Sequence, residues 1–179
     1  MNFYEKPLSE LTDEQWEQIC LKCGKCCMLK YSDNGVIHFS NRICKYFDLK
    51  KGICSCYNKR FELTDSECKK VDLQLLEENL ELLPPSCAYR RLYEGKGLPP
   101  YHPLLTGNPQ SVILAKQTVK ALPVHLDGTQ EKAVIALLRT AKQQNWSDDR
   151  LMQNARKVFE KYDLQWLETY PYPPEKPAT

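Results

Sequence analysis

Cys20, Cys23, Cys26 and Cys27 form a C-x2-C-x2-C-C run, followed by Cys44, Cys54, Cys56, Cys68 and Cys87. Three thiols at two successive x2 spacings can converge from one tight loop on a single centre, and Gly24 supplies the backbone freedom such a loop needs. Two metal chemistries compete. C-x2-C-x2-C matches the opening of a bacterial ferredoxin ligand set, in which three thiolates take three corners of an iron–sulfur cluster, but the C-x3-C-P that would follow is missing. Structural zinc also uses C-x2-C completed by a second pair; Cys54-x-Cys56 supplies one, at a spacing shorter than the usual x2 to x4. Neighbouring side chains diverge, so one of Cys26 and Cys27 is expected to face a different metal, or none. Eight cysteines between residues 20 and 68 suffice for two four-thiolate sites with Cys87 left over, and one site with spare thiols is equally compatible. The bland alternative for a single thiol, Cys87 above all, is a small core residue.

Nine cysteines in 179 residues is an odd count, which cannot pair completely within one chain. The opening residues carry acids and lack the basic-then-apolar order of a secretory signal, so a cytoplasmic compartment is expected, where disulfides do not persist. No apolar run approaches the ~20 residues of a spanning helix, so no membrane partner is expected. Residues 20–60 hold nine Lys/Arg against two Asp, a local +7 in a chain of net +2. Lys22, Lys25, Lys30, Arg42, Lys45, Lys50, Lys51, Lys59 and Arg60 are expected to favour thiolate over thiol and to offset the charge of thiolate sites. A solvated lysine face is the alternative, and a nucleic-acid footprint with Tyr31, Tyr46, Phe47 and Tyr57 stacking on bases is a third. A pI near 8.0 and the acidic stretch at 71–83 count against the last. His38, His102 and His125 have no ligand partner at helical spacing and read as surface or core residues. No phosphate loop, G-x-S-x-G or H-E-x-x-H is present, so no catalytic motif is recognised.

The elements that must position these thiols follow from local pattern. Thr12 and Gln15 have capping-box spacing, so a helix is expected to start at Thr12 and deliver the chain into Cys20. From Cys20 to Cys68 only twelve strongly apolar side chains appear besides Cys and Tyr, a shortage that a bound metal would make good. Asn34-Gly35 predicts a two-residue hairpin turn between Leu29–Ser32 and Val36–Phe39, and Lys51-Gly52 a looser one. Residues 71–83 read as one acidic helix, and Ser86 as the cap of another through Ala88–Tyr93. GKGLPPYHPLLTGNP reads as an irregular loop, and Val112–Leu126 is ambiguous between strand and helix. Periodicity from Thr129, and again after Ser147, predicts a helical hairpin.

Trp16, CLKCGKCC at 20–27, Val36–Phe39, Cys44, Cys54-x-Cys56-Tyr57, Arg60-Phe61, Cys68, CAYR at 87–90 and GKGLPPYHPLLTG at 95–107 resemble the YcgN-like branch of the bacterial CxxCxxCC cysteine-cluster family. The resemblance is strong over residues 1–107 and fades beyond. That family is uncharacterised and is described as zinc- or iron-chelating, which implies that Cys20, Cys23, Cys26, Cys27, Cys44, Cys54, Cys56 and Cys68, with Cys87, are the ligands. The broader family lacks Cys56 and Cys87, which sets these two apart.

Together these readings predict an α+β protein. A metal-stapled cysteine-cluster core with short strands and flanking helices occupies residues 1–109, a connecting segment 110–128, a helical hairpin 129–168 and a Pro-rich tail 169–179. The expected function is cytoplasmic metal binding through an iron–sulfur cluster, slightly preferred, or zinc. The alternatives are a zinc-stabilised module presenting a basic face to nucleic acid or an acidic protein, and a cluster- or thiol-dependent oxidoreductase.

Overall fold

The computed structural model describes residues 2–63 and 68–171. Thr12 caps the first helix, α1 (Asp13–Ile19): its hydroxyl accepts from the Gln15 amide and the Gln15 side chain accepts from the Thr12 amide, the expected capping box. α1 ends at Cys20, and a 3-10 turn over Lys25–Cys27 leads into β1 (Met28–Asp33). Asn34 and Gly35, both at positive φ, turn the chain into the antiparallel β2 (Val36–Ile43), with Asp33 opposite Val36. This is the turn geometry whose twist matches paired strands. β3 (Phe47–Asp48) and β4 (Ile53–Cys54) form a second small hairpin closed near Gly52.

Beyond residue 68 the chain forms α2 (Leu73–Glu78), α3 (Ala88–Tyr93), α4 (Pro103–Thr106) and α5 (Ser111–Leu114). The expected single helix over 71–83 is interrupted: α2 stops at Asn79, and a 3-10 turn over Leu80–Leu82 carries the chain on. Leu75, Leu76, Leu80 and Leu83 all enter one core across this break. Ser86 does not cap α3; Cys87 stands at that position without a side-chain cap bond, and the Ser86 hydroxyl instead accepts from Lys25 Nζ at 3.4 Å. The Pro/Gly-punctuated stretch at 95–109 is irregular apart from α4, which His102 caps and Gly107 closes.

The ambiguous segment 112–126 resolves into α5, a 3-10 turn over Val119–Ala121 and β5 (His125–Leu126). β5 pairs in parallel with the end of β2, Arg42 opposite His125, so the expected connecting segment contributes to the sheet. α6 (Thr129–Gln143) and α7 (Asp148–Tyr162) follow, the second capped by Ser147, whose hydroxyl accepts from the Arg150 amide. β6 (Trp166–Pro171) then runs antiparallel to β2, with Ile37 opposite Tyr170. This strand spans the expected boundary between the helical hairpin and the Pro-rich tail at 169: residues 166–171 belong to the sheet, and 172–179 lie outside the described residues.

Two hydrophobic cores organise these elements. The first gathers Ile19, Leu21, Leu75, Leu76, Leu80, Leu83, Ala88, Tyr89, Leu98 and Val112. The second lies under the sheet and gathers Met28, Ile37, Phe39, Ile43, Phe47, Val119 and Val124, with Leu167 and Tyr170 packed against it. In the second core Met28, Ile37, Phe39, Ile43 and Phe47 from residues 20–68 are joined by Val119 and Val124 from further along the chain, and the fold is mixed α+β. The helical pair is tied to the sheet by polar contacts: buried Arg42 donates to Gln130 Oε1 at 3.0 Å and to the Tyr162 carbonyl, and Asn41 Nδ2 donates to the Asp163 carbonyl at 2.6 Å.

Candidate metal centre

The CLKCGKCC loop lies where the two cores meet. Cys20, Cys23 and Cys87 pack against the first core, and Cys27 against the second. Gly24 is the pivot: its φ is +81°, and a Cβ there would stand 2.7 Å from both Phe47 Cζ and Val119 Cγ2. Only a residue without a side chain fits both the left-handed backbone and this close approach. The Val119 amide donates to the Cys23 carbonyl at 2.9 Å, fastening the loop from its other side. Lys25 is buried and its ammonium meets Glu168 Oε1 of β6 at 2.7 Å, while Tyr170 donates to the other carboxylate oxygen. Phe47, Val119, Ser86 and Glu168 thus position a loop from which they are remote in sequence. Local pattern carried no signal for this, because each contact depends on chain closure across more than twenty residues.

The structure brings most of the sequence-predicted thiols near one another in pairs and short chains. The Cys44 amide donates to the Cys27 carbonyl at 2.9 Å, setting the chain after β2 beside the loop. Phe47 pairs with Cys54 across the β3–β4 hairpin, and the sulfurs of Cys54 and Cys56 lie 3.6 Å apart. Cys20 follows α1 and Cys87 precedes α3; these ends are drawn together by Trp16 and Tyr89, whose rings stack at 5.0 Å while the Tyr89 hydroxyl donates to the Trp16 carbonyl. All nine cysteines are free thiols, and Cys26 and Cys68 are exposed. Among the described residues, no three Cys, His, Asp or Glu side chains converge closely enough to hold a metal ion.

Electrostatics follow this placement. Burial, reinforced by the neighbouring Cys26 charge, pushes the Cys20 thiol up to about 11 and raises Cys23 further. Burial likewise pushes Cys87 up to about 12. Cys56 rises to about 11 through desolvation and its contact with Cys54. Cys26 moves the other way: a hydrogen bond from the Cys27 thiol, aided by Lys30 and Arg60, holds it below the ordinary thiol range, and the same bond drives Cys27 up. An uncompensated thiolate is costly in such surroundings, and a cation among these sulfurs would reverse that preference.

The basic residues around the cysteines do not act as one group. Lys22, Lys30 and Arg60 do favour thiolates, at Cys20, Cys26 and Cys26 with Cys68 respectively. Lys25 is instead spent on Glu168, Arg42 on Gln130 and Tyr162, and Lys51 on Asp48 at 4.0 Å. Lys45 stands over the Tyr46 ring and Arg60 over Tyr57 and Phe61. Burial of Lys25 and Arg42 removes both from any continuous basic face. The histidines are separated as well. His102 is buried, accepts from the Leu104 amide through Nδ1 and so donates through Nε2 to the Ile19 carbonyl at 3.0 Å. His38 stacks on Trp166 at 5.0 Å and His125 meets Tyr162 edge-on at 5.1 Å.

Fold and site define a small mixed α+β protein with free thiols assembled where two cores meet. Its sequence is 38% identical over 139 residues to a UPF0260 protein of Haemophilus influenzae, an alignment that spans 75% of this chain and 85% of that protein. It is 44% identical over 117 residues to a UPF0260 protein of Shewanella pealeana, spanning 64% and 79% of the two chains. It is 45% identical over 109 residues to one from Klebsiella pneumoniae, spanning 58% and 70%. The chain belongs to the UPF0260 family. No family model matches it, and no solved structure does. Among the described residues no helix is long and apolar enough to cross a membrane.

Proposed function

We propose that this protein binds a metal through its cysteine cluster, as zinc or as an iron–sulfur cluster. The observation that carries the proposal is the Cys54–Cys56 sulfur pair at 3.6 Å in a chain whose nine cysteines are all free thiols, with Cys44 and Cys68 close enough to act on Cys56. Tetrahedral zinc with Zn–S bonds of about 2.3 Å places two ligand sulfurs about 3.8 Å apart, so this pair fits two corners of a thiolate site. The donor set is also chemically apt: soft sulfur ligands select zinc, copper(I) and iron–sulfur clusters over hard cations. The C-x2-C-x2-C-C resemblance supports the same reading. Lys22, Lys30 and Arg60 would offset the charge of the bound thiolates, and a bound metal would supply the convergence of ligands that the free thiols do not reach by themselves.

Because the two cores are assembled from the whole chain, they are expected to persist without metal. The dependent part is residues 50–61, where Ile53, Tyr57 and Phe61 remain more than two-fifths exposed and little apolar packing holds the chain. The test is metal and sulfide analysis with a visible absorption spectrum on protein purified without oxygen, followed by chelation. Iron with sulfide, or zinc in whole equivalents, supports the proposal, and chelation is then expected to speed amide exchange in residues 50–61 with the cores still protected. Protein that holds neither metal, and takes up neither on reconstitution, overturns it.

A further inference from the structure

We propose that Cys54 and Cys56 form a reversible thiol–disulfide pair, oxidised by an anionic low-molecular-weight disulfide of the glutathione class. The inference stands on the geometry of the pair and requires no metal. It bears on the metal reading in one respect: a sulfur held in a disulfide is no longer a thiolate ligand, so the oxidised pair and a metal-bound pair exclude each other.

Cys54 ends β4 and stands opposite Phe47 of β3, whose side chain is buried in the second core. Ser55 is pinned to the same hairpin, its amide and its hydroxyl both donating to the Tyr46 carbonyl, at 2.8 and 2.7 Å. Cys54 and Cys56 flank this anchor, and in extended chain residues two apart share a face. Their sulfurs accordingly meet at 3.6 Å. Two strand residues span about 6.6 Å, within the range of about 4.4–6.8 Å that a disulfide bridges between Cα atoms. Bond formation asks the sulfurs to close by about 1.6 Å. Little packing resists that movement, since Ile53, Ser55 and Tyr57 are all exposed. A ring closed over a single intervening residue is strained, and strained or exposed disulfides are the easily reduced ones, which makes the pair reversible. Cys26 and Cys27, whose thiols also meet, are adjacent, and a ring over one peptide unit works against its planarity. Both sulfurs of the Cys54–Cys56 pair are half-buried, and Lys51 and Lys59 on either side are exposed cations that favour the approach of an anionic disulfide.

The exchange balances. One protein thiolate attacks a glutathione disulfide, forms a mixed disulfide and releases one glutathione thiolate. The neighbouring thiolate attacks the protein sulfur of that mixed disulfide and releases the second. The two cysteines lose two electrons, the glutathione disulfide gains them, and the two thiol protons pass to the released glutathiones.

The experiment equilibrates the reduced full-length chain, as purified and after chelation, with oxidised and reduced glutathione over a range of ratios, quenches it by alkylation and maps it after trypsin. Cleavage after Lys51 and Lys59 releases residues 52–59 as one peptide, which carries Cys54 and Cys56 and no other cysteine. The chelated chain is expected to convert this peptide to a form lighter by two hydrogens that resists alkylation, and to revert as reduced glutathione rises. In Cys54→Ser and in Cys56→Ser the remaining thiol of the pair is expected to stop at the glutathione adduct, because the neighbour that resolves it is gone. The wild-type map stands without the variants, should either fail to fold. A wild-type peptide that accumulates the glutathione adduct, stays fully alkylated, or cross-links to a peptide carrying Cys44 or Cys68 overturns the pairing. So does equal closure of the pair, at the same glutathione ratio, in the native chain and in concentrated urea, since neighbourhood in sequence rather than the fold would then set it. None of these outcomes decides the metal content, which elemental analysis of the chain as purified settles separately.

Discussion

Replacing Gly24 by alanine tests whether the cysteine loop is held by packing on Phe47 and Val119. The added Cβ meets Phe47 Cζ and Val119 Cγ2 at 2.7 Å each, well inside carbon–carbon contact, on a backbone at φ +81°. The left-handed conformation costs a non-glycine residue about 1–2 kcal/mol. Forcing a methyl group into a packed core costs about 1–3 kcal/mol more. The combined loss of about 2–5 kcal/mol is a large share of the ~5–15 kcal/mol that holds a typical domain together. With a urea dependence of about 2 kcal/mol/M, the unfolding midpoint falls by about 1–2.5 M. Urea unfolding at fixed metal content measures it, since any bound metal adds its own stabilisation. A second variant separates the two costs: in a Val119→Ala background one of the clashing methyl groups is gone, so Gly24→Ala should cost less there, while the backbone penalty stays. A loss below about 1 kcal/mol, or the same loss in both backgrounds, would show that Phe47 and Val119 do not confine the loop.

Two further outcomes follow from the described contacts. Burial holds the His102 imidazole below its usual value of 6.5. The unfolded chain therefore takes up a proton before the folded one does, so stability is full above about pH 6.5 and declines as pH falls; His102→Gln, which retains a donor for the Ile19 carbonyl, should flatten most of that slope in unfolding measured between pH 5 and 8, and an unchanged slope would exclude His102 as its source. Lys25→Met leaves the Glu168 carboxylate with Tyr170 alone, for an expected loss of about 1–3 kcal/mol, less than for a fully buried pair because both partners keep some exposure; Lys25→Met with Glu168→Leu should recover much of it, and strictly additive losses would mean that the pair does not couple.

What the sequence determined by itself is the local part. The Thr12–Gln15 box, the Asn34-Gly35 turn and the Ser147 cap are each settled within a few residues, because the groups that satisfy one another are neighbours along the chain. The C-x2-C-x2-C-C run was equally legible, since a spacing needs no partner to be recognised. Tertiary structure decided where those residues stand. It spent Lys25 on Glu168 rather than on a thiolate, ended α2 at Asn79, and drew residues 166–171 into the sheet beside β2. It also set Cys87 beside the loop through the Trp16–Tyr89 stack. Each of these rests on contacts between segments far apart in the chain, whose closure entropy is repaid only when both cores form. No local pattern of residues records such a pairing in advance.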